Sequence, residues 1–347
     1  MGDIPLMNQA NYGAEDEQAI LDKSLETASN IYLTDKFVGC RDDHGIGVRG
    51  FVPPEWKDFF QTAVGTKARG QFTKSSHYTA EFLGRRYRCC LANSVRGWGI
   101  SMRRLPIKIP AVRDDLGLDW DVLAPLVQGS GLTLFAGRMS AGKSMTMAAC
   151  IGRLDPRLIS IATVEDPIEV IYPDESIIQR EVGTHVDSFP EAIRDCVRQT
   201  RDVIVVGEIR DPDTANAALL AASTGHSVLG TIHADNAFDA YIRMLALVDE
   251  RYQRLLARTM RGLWWQQVVR FGTKDRKPLP IYESVLIDLE ARQILEKGPD
   301  SLQMLHSVMD RQGRKTMAEV ALQAVGRGAA TREELNEFLH RRNRHKA

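Results

Sequence analysis

Residues 137–144 read Gly-Arg-Met-Ser-Ala-Gly-Lys-Ser, a spacing that meets the requirements for holding a polyphosphate. The glycines let backbone N–H groups approach phosphate oxygens, Lys143 reaches the β- and γ-phosphates of a nucleoside triphosphate, and Ser144 places a hydroxyl on Mg²⁺. Gly137, Arg138, Met139, Ser140, Ala141, Gly142, Lys143, Ser144 and the adjoining Met145 are the expected nucleotide-binding residues.

Three further segments carry groups that could act on such a ligand. Val203-Ile-Val-Val-Gly-Glu208 delivers a carboxylate at the end of an apolar run. Ligands of open α/β sheets bind at that end, so Glu208 joins Ser144 as the expected contact to the metal, directly or through water. Thr163-Val-Glu-Asp-Pro-Ile-Glu169 places Glu165, Asp166 and Glu169 within five residues. Those charges repel unless a cation or hydrogen-bond donors offset them, and one of them can orient and deprotonate an attacking water. Thr224-Gly-His-Ser-Val-Leu-Gly-Thr-Ile-His233 brackets a buried strand with two histidines on opposite faces. His233, at the carboxyl end, can meet a phosphate; His226 reads as structural.

These groups need a scaffold. Gly131–Ala136 is a short apolar run fit for a buried strand, and Met145–Ile151 continues as a helix, so the loop between them points a helix N-terminus at an anion. Apolar runs at Leu158–Val164, Val203–Val206 and Ser227–Ile232 add strands, mostly separated by helical patterns, as a parallel sheet covered on both faces requires. The expected organisation is a loose N-terminus over 1–16, a small α+β domain over 17–104, and a linker over 105–118. An α/β core with a mainly parallel sheet follows over 119–290, and a helical segment with a basic tail over 291–347. Within these, Gln18–Ser29, Lys315–Val325 and Thr331–Arg341 read as helices and Ile281–Ile287 as a strand. Arg261–Val269, with Trp264 and Trp265, reads as an apolar helix packed in the core or against another subunit.

Bulk properties narrow the class. Lys+Arg and Asp+Glu number 45 each, a balance that argues against a chain held mainly by nucleic-acid phosphates. Five cysteines without paired spacing read as reduced thiols, not a zinc site. The first residues have neither a basic start nor an apolar core, and no run approaches the ~18 apolar residues of a membrane span, so a cytoplasmic protein is expected.

Together these segments resemble the secretion and pilus "traffic" ATPases, hexameric RecA-like motors. That family has a phosphate loop, an acidic "Asp box" like Thr163–Glu169, a Walker B strand ending like Gly207-Glu208, and a "His box" like Gly225–His233, in this order. The resemblance implies ATP and Mg²⁺ as ligands, with Lys143 and Ser144 on phosphate and metal. It gives Glu169 the attacking water, Glu208 the metal, and His233 the coupling of the γ-phosphate to movement. Arg88, Arg96 and Arg103 fall in a segment similar to one that places arginines near the nucleotide, some from a neighbouring subunit; salt bridging is the competing reading for each. Arg194, Arg198 and Arg201 resemble the family's arginine-rich face. The implied partners are five further copies in a homo-hexamer and an inner-membrane platform or secretion-channel protein, with membrane association only through partners and no sequence-specific nucleic-acid binding.

The chain also departs from the family. Ser140 stands where glycine is usual, and Arg138-Met139 where Pro-Thr is usual. Serine tolerates left-handed backbone angles poorly, which points to weaker nucleotide binding. Asn30 and Tyr32 replace Asp and His of an Ala-Ser-Asp-Ile-His segment. The four-cysteine zinc element of type II secretion and pilus-assembly ATPases is absent, and Ala291-Arg-Gln-Ile-Leu295 is similar to the Ala-Ile-Arg-Asn-Leu helix of retraction motors. The pilus-retraction and type IVB secretion or conjugation branch is the nearest match. A nucleic-acid-dependent RecA-like motor and a nucleotide-binding scaffold with little turnover are the alternatives.

Overall fold

A computed structural model describes residues 14–41, 47–68, 76–271 and 276–338. The basic stretch at 341–346 lies outside these residues, as does the end of the helix expected over Thr331–Arg341. The chain divides into two compact units between Ile107 and Lys108.

The first unit contains α1 (Ala14–Thr27), β1 (Asn30–Thr34), β2 (Phe37–Arg41), β3 (Gly47–Phe51), α2 (Pro54–Ala68), β4 (Ser76–Phe82), β5 (Arg85–Ser94) and β6 (Gly97–Arg104). Its strands form one antiparallel sheet in the order β3-β2-β1-β6-β5-β4. The reason is period two: Ile31 and Leu33 in β1, and Tyr87, Cys89 and Leu91 in β5, point into one core while their neighbours face out. Leu21 and Leu25 of α1 and Trp56 and Phe60 of α2, each pair one helical turn apart, cover that face. The pleat therefore buries Cys89 and leaves Cys90 half-buried.

The second unit begins with α3 (Trp120–Val127), β7 (Gly131–Ala136), α4 (Lys143–Ile151), β8 (Ile161–Glu165), β9 (Ile178–Glu181) and α5 (Phe189–Arg198). It continues through β10 (Val203–Val206), α6 (Pro212–Ser223), β11 (Ser227–Ile232), α7 (Ala237–Leu247), α8 (Gln253–Thr259), β12 (Met260–Val269) and β13 (Leu279–Leu286). It ends in α9 (Leu289–Glu296), α10 (Leu305–Arg311) and α11 (Met317–Gly326). The strand order is β13-β12-β7-β11-β10-β8-β9, parallel throughout except for the edge pair β12–β13.

Continuous apolar strands work here because both faces are covered. Leu132 and Leu134 of β7, Ile204 and Val206 of β10, and Val228 and Ile232 of β11 enter one core with α5, α6, α7 and the C-terminal helices. Phe135, Val203, Val205 and Leu229 enter a second core with α3 and α4. Polar caps fix where helices start. Ser188, Asp211, Asn236 and Asp288 each accept a backbone N–H from the first turn, and Thr316 with Glu319 forms a capping box.

This is the expected fold class: a mainly parallel α/β core, a small α+β unit before it and a helical segment after it. Three local readings need correction. Arg261–Val269 is not a helix but the inner strand β12, parallel to β7, with Trp264 and Trp265 buried in the two cores on either face. Its polar residues, Arg261, Gln266 and Gln267, fall at neither helical nor alternating spacing, so helix and strand look alike until a neighbour pairs with it. The strand expected from Leu158 starts at Ile161, because Ser160 N–H and Oγ bond the Asp202 carboxylate while Leu158 is 82% exposed. The described part of 331–341 is turns at 332–335 and a short helical run at 336–338.

Candidate nucleotide site

The strand registers set the site. Ala136 of β7 pairs with Ile232 of β11, and Val206 of β10 with Val164 of β8 and Gly230 of β11. The segments that follow these residues, 137–144, 165–169, 207–208 and 233–235, therefore emerge along one carboxyl edge of the sheet, where open α/β sheets bind ligands.

The phosphate loop is a backbone cradle. Gly137 (φ 148°) leaves β7 with no room for a side chain, since a Cβ there would lie 2.3 Å from the Gln266 carbonyl oxygen. Gly142 (φ 84°) turns the chain into α4. Ser140 adopts φ 60°, so a non-glycine residue does occupy a left-handed position. Lys143 is buried, and its ammonium donates to the carbonyls of Gly137 (2.9 Å) and Arg138 (3.1 Å). Burial pushes it below the usual lysine range, while the carboxylates of Glu208 and Glu169 oppose the shift. A phosphate would supply stronger charge-assisted acceptors to the same ammonium. Ser144 stands in the first turn of α4, Ala141 is buried, and Met139 is 78% exposed.

Donors offset the acidic turn. Glu165 accepts from Thr163 Oγ1 at 2.7 Å, from the Glu169 backbone N–H at 3.4 Å and from Gln179 Nε2 at 3.4 Å. Burial pushes the Glu165 carboxyl above its usual range, and those donors oppose the shift. Glu181 accepts from Ile168 N–H at 3.1 Å and fixes the far side of the turn. Asp166 pairs with Arg210 at 3.2 Å. Glu169 is half-buried, and of the three carboxylates it is the one left to act on Lys143.

Glu208 lies between His233 and Arg210. His233 Nε2 is 3.3 Å from its Oε1 and Arg210 is 3.8 Å from its Oε2. Burial and the Lys143 charge push the His233 imidazole below the usual histidine range; Glu208 opposes this and Arg243 adds to it. His226 bonds the Arg201 carbonyl through Nδ1 at 2.7 Å, before β11 begins.

Gln266, Arg270, Asp235 and Glu337 escaped sequence reasoning, as did the contacts that Trp264, Trp265 and Arg138 make. Gln266 Nε2 donates to the Ala141 carbonyl at 2.7 Å, and its Oε1 accepts from Trp264 Nε1 at 2.7 Å. Trp265 Nε1 donates to the Ala234 carbonyl at 3.0 Å, beside His233. Arg270 donates to the Ser140 carbonyl at 3.3 Å, and Arg138 pairs with Asp235 and Glu337, both at 2.9 Å. A buried glutamine in a strand is the one signal that could have pointed here, because an unpaired buried amide is costly.

In the first unit, Arg88 and Arg103 are direct cross-strand partners in β5 and β6, and both are exposed. Arg96 is exposed at the turn joining these strands, its backbone N–H bonded to Ser94 Oγ at 3.2 Å. Arg194 and Arg198 are exposed on α5, and Arg198 lies 3.6 Å from Asp195.

The donor set fits a triphosphate with Mg²⁺. Among the described residues no three His, Cys, Asp or Glu side chains gather into a metal cage. Mg²⁺ beside phosphates needs no such cage, since it keeps waters and takes one or two protein oxygens; Ser144 and Glu208 are the candidates.

A backbone phosphate cradle at the carboxyl edge of a parallel sheet, faced by acidic strand ends, defines a P-loop nucleotide-binding site. The chain belongs to the type II/IV secretion system protein family, whose model matches residues 114–346. It is 33% identical over 269 residues to the type II secretion system protein HxcR of Pseudomonas aeruginosa, covering 69% of this chain and 56% of HxcR. It is 30% identical over 281 residues to the type IV pilus ATPase PilU of Pseudomonas aeruginosa, covering 78% of this chain and 69% of PilU. The chain thus spans little more than half the length of HxcR. The crystal structure of the pilus retraction motor PilT with bound ADP is similar with a TM-score of 0.77 and 28% identity, covering 92% of this chain and 95% of that one. No helix among the described residues is long and apolar enough to cross a membrane.

Proposed function

We propose that this chain is the Mg²⁺-dependent ATP-hydrolysing subunit of a homo-hexameric motor. It works at the cytoplasmic face of the inner membrane and drives a type IV secretion, conjugation or type IV pilus machine through a membrane platform or channel protein. The observation that carries the reading is the convergence of Lys143, Glu169, Glu208 and His233 on one sheet edge, with Lys143 under the influence of both carboxylates.

Lys143 and the 137–144 amides neutralise and orient the β- and γ-phosphates. Glu169 orients a water and takes its proton as the water oxygen bonds the γ-phosphorus and the bond to the β,γ-bridging oxygen breaks, giving ADP and phosphate. Mg²⁺, when bound by Ser144 and Glu208, offsets charge on the phosphate oxygens. His233 bonds Glu208, so loss of the γ-phosphate charge reaches the loop that Trp265 holds. Arg96 and Arg103 are assigned the role of adding positive charge in the transition state. Movement about residues 105–118 turns that change into work.

The test is phosphate release from ATP with Mg²⁺, set against Lys143→Ala. Turnover that needs both Mg²⁺ and Lys143 supports the motor; tight ATP binding without turnover supports the scaffold reading, which the left-handed Ser140 favours.

A further inference from the structure

The phosphate loop departs from the usual pattern at Arg138, Met139 and Ser140, and the structure ties Ser140 and Arg138 to two elements far along the chain, through Arg270 and Glu337. Ser140 holds φ 60°, a conformation that L-residues other than glycine adopt at a cost. A loop with that residue needs support from outside itself. Gln266 and Arg270 bond the carbonyls of Ala141 and Ser140 from β12 and the residue after it. The third support is Arg138, whose Nε bonds Asp235 and whose guanidinium also pairs with Glu337. Glu337 lies 199 residues further along the chain.

The element that carries Glu337 is firmly seated. Ala330, Leu335 and Phe338 are buried in the core below the sheet. Phe338 meets the Trp265 ring edge-on at 6.4 Å, and Arg276 pairs with Glu334 while stacking on Phe271. Residues 330–338 thus rest on the same strand that supports the loop, and Glu337 reaches from this seat to Arg138.

We propose that Arg138 and Glu337 are positioning residues for nucleotide binding. Residues 330–338 form a strap that holds the phosphate loop in its binding conformation and compensates for serine in place of glycine at position 140. This rests on the ATP-binding reading above. By linkage, ATP that binds better to the strapped loop must also tighten the strap.

The ion pair is half exposed, so its removal has a modest effect: Glu337→Gln weakens ATP binding about two- to five-fold, with the unfolding midpoint unchanged. The effect is absent in an Arg138→Ala background, where the pair is already gone, and Arg138→Lys retains part of it. It also disappears in a Ser140→Gly background, where the loop no longer needs help. Amide exchange of residues 138–142 is faster in Glu337→Gln without nucleotide, and ATP slows exchange across 330–338 in the wild type. Unchanged affinity and exchange in Glu337→Gln overturn the proposal, as does an equal loss of affinity with Ser140 and with Gly at position 140. The nucleotide-free exchange arm separates the two readings: a wild type that binds no ATP overturns the ATPase assignment, while the strap still stands or falls on that arm.

Discussion

Gln266 Nε2 donates to the backbone carbonyl of Ala141 at 2.7 Å, so the phosphate loop is held from a strand 125 residues further along the chain. The same side chain accepts from Trp264 Nε1, which makes it a buried bridge between an indole and the loop.

Gln266→Leu leaves the Ala141 carbonyl and the Trp264 N–H buried without partners, at about 1–3 kcal/mol each. Urea unfolding is expected to show a loss of roughly 2–6 kcal/mol, together with weaker ATP binding. A neutral result in both measurements would remove Gln266 as an anchor.

Glu169→Gln and Glu208→Gln keep size and lose charge. Turnover is expected to fall about 10²–10⁴-fold for Glu169→Gln with ATP affinity largely retained, as for loss of a general base. Glu208→Gln shifts the Mg²⁺ concentration needed for half-maximal rate upward. Wild-type turnover in Glu169→Gln would end its assignment to the attacking water.

The His233 imidazole is held below the usual histidine range, so near and below pH ~6.5 the unfolded chain binds the extra proton more readily than the folded one. Stability is then lost as pH falls through that window. Glu165 works in the opposite sense, because its raised folded value makes the folded state keep a proton longer. Comparing unfolding midpoints of wild type and His233→Gln from pH 8 to 5 cancels the Glu165 contribution. The variant should show the shallower decline.

Arg88 and Arg103 oppose each other directly across β5 and β6, an arrangement that costs roughly 0.2–1 kcal/mol without an anion. Arg103→Ala is expected to leave the fold as stable or slightly more so, while the proposed transition-state role predicts a fall in turnover of at least about tenfold. Stability and turnover moving down together would favour a structural salt-bridging role.

A ring motor must assemble. Sedimentation with ATP and Mg²⁺ is expected to show hexamers, and monomers at high protein concentration would contradict the motor model.

Much of this was legible from residue order alone. The phosphate loop declares itself because its glycines, lysine and serine act within eight consecutive residues. Strands β7, β10 and β11 were legible because each is a short, largely apolar run that leads into a segment with evident chemistry: the phosphate loop, Gly207-Glu208 and His233. Strand β12 was not, because Gly-Leu-Trp-Trp-Gln-Gln-Val-Val has no helical or alternating signature, and only pairing with β7 gives it a direction. Leu158 was read as strand because it is apolar, yet the Ser160–Asp202 bonds place it outside.

Sequence by itself determined the family, the fold class and the order of the parts, since a phosphate-loop pattern and helix capping depend on neighbours in the chain. Only the tertiary structure decided what holds those parts in place. Gln266 on Ala141, Trp265 on Ala234, Gln179 on Glu165 and Glu337 on Arg138 are hydrogen bonds or ion pairs across elements. Their worth comes from geometry and burial that no local spacing encodes.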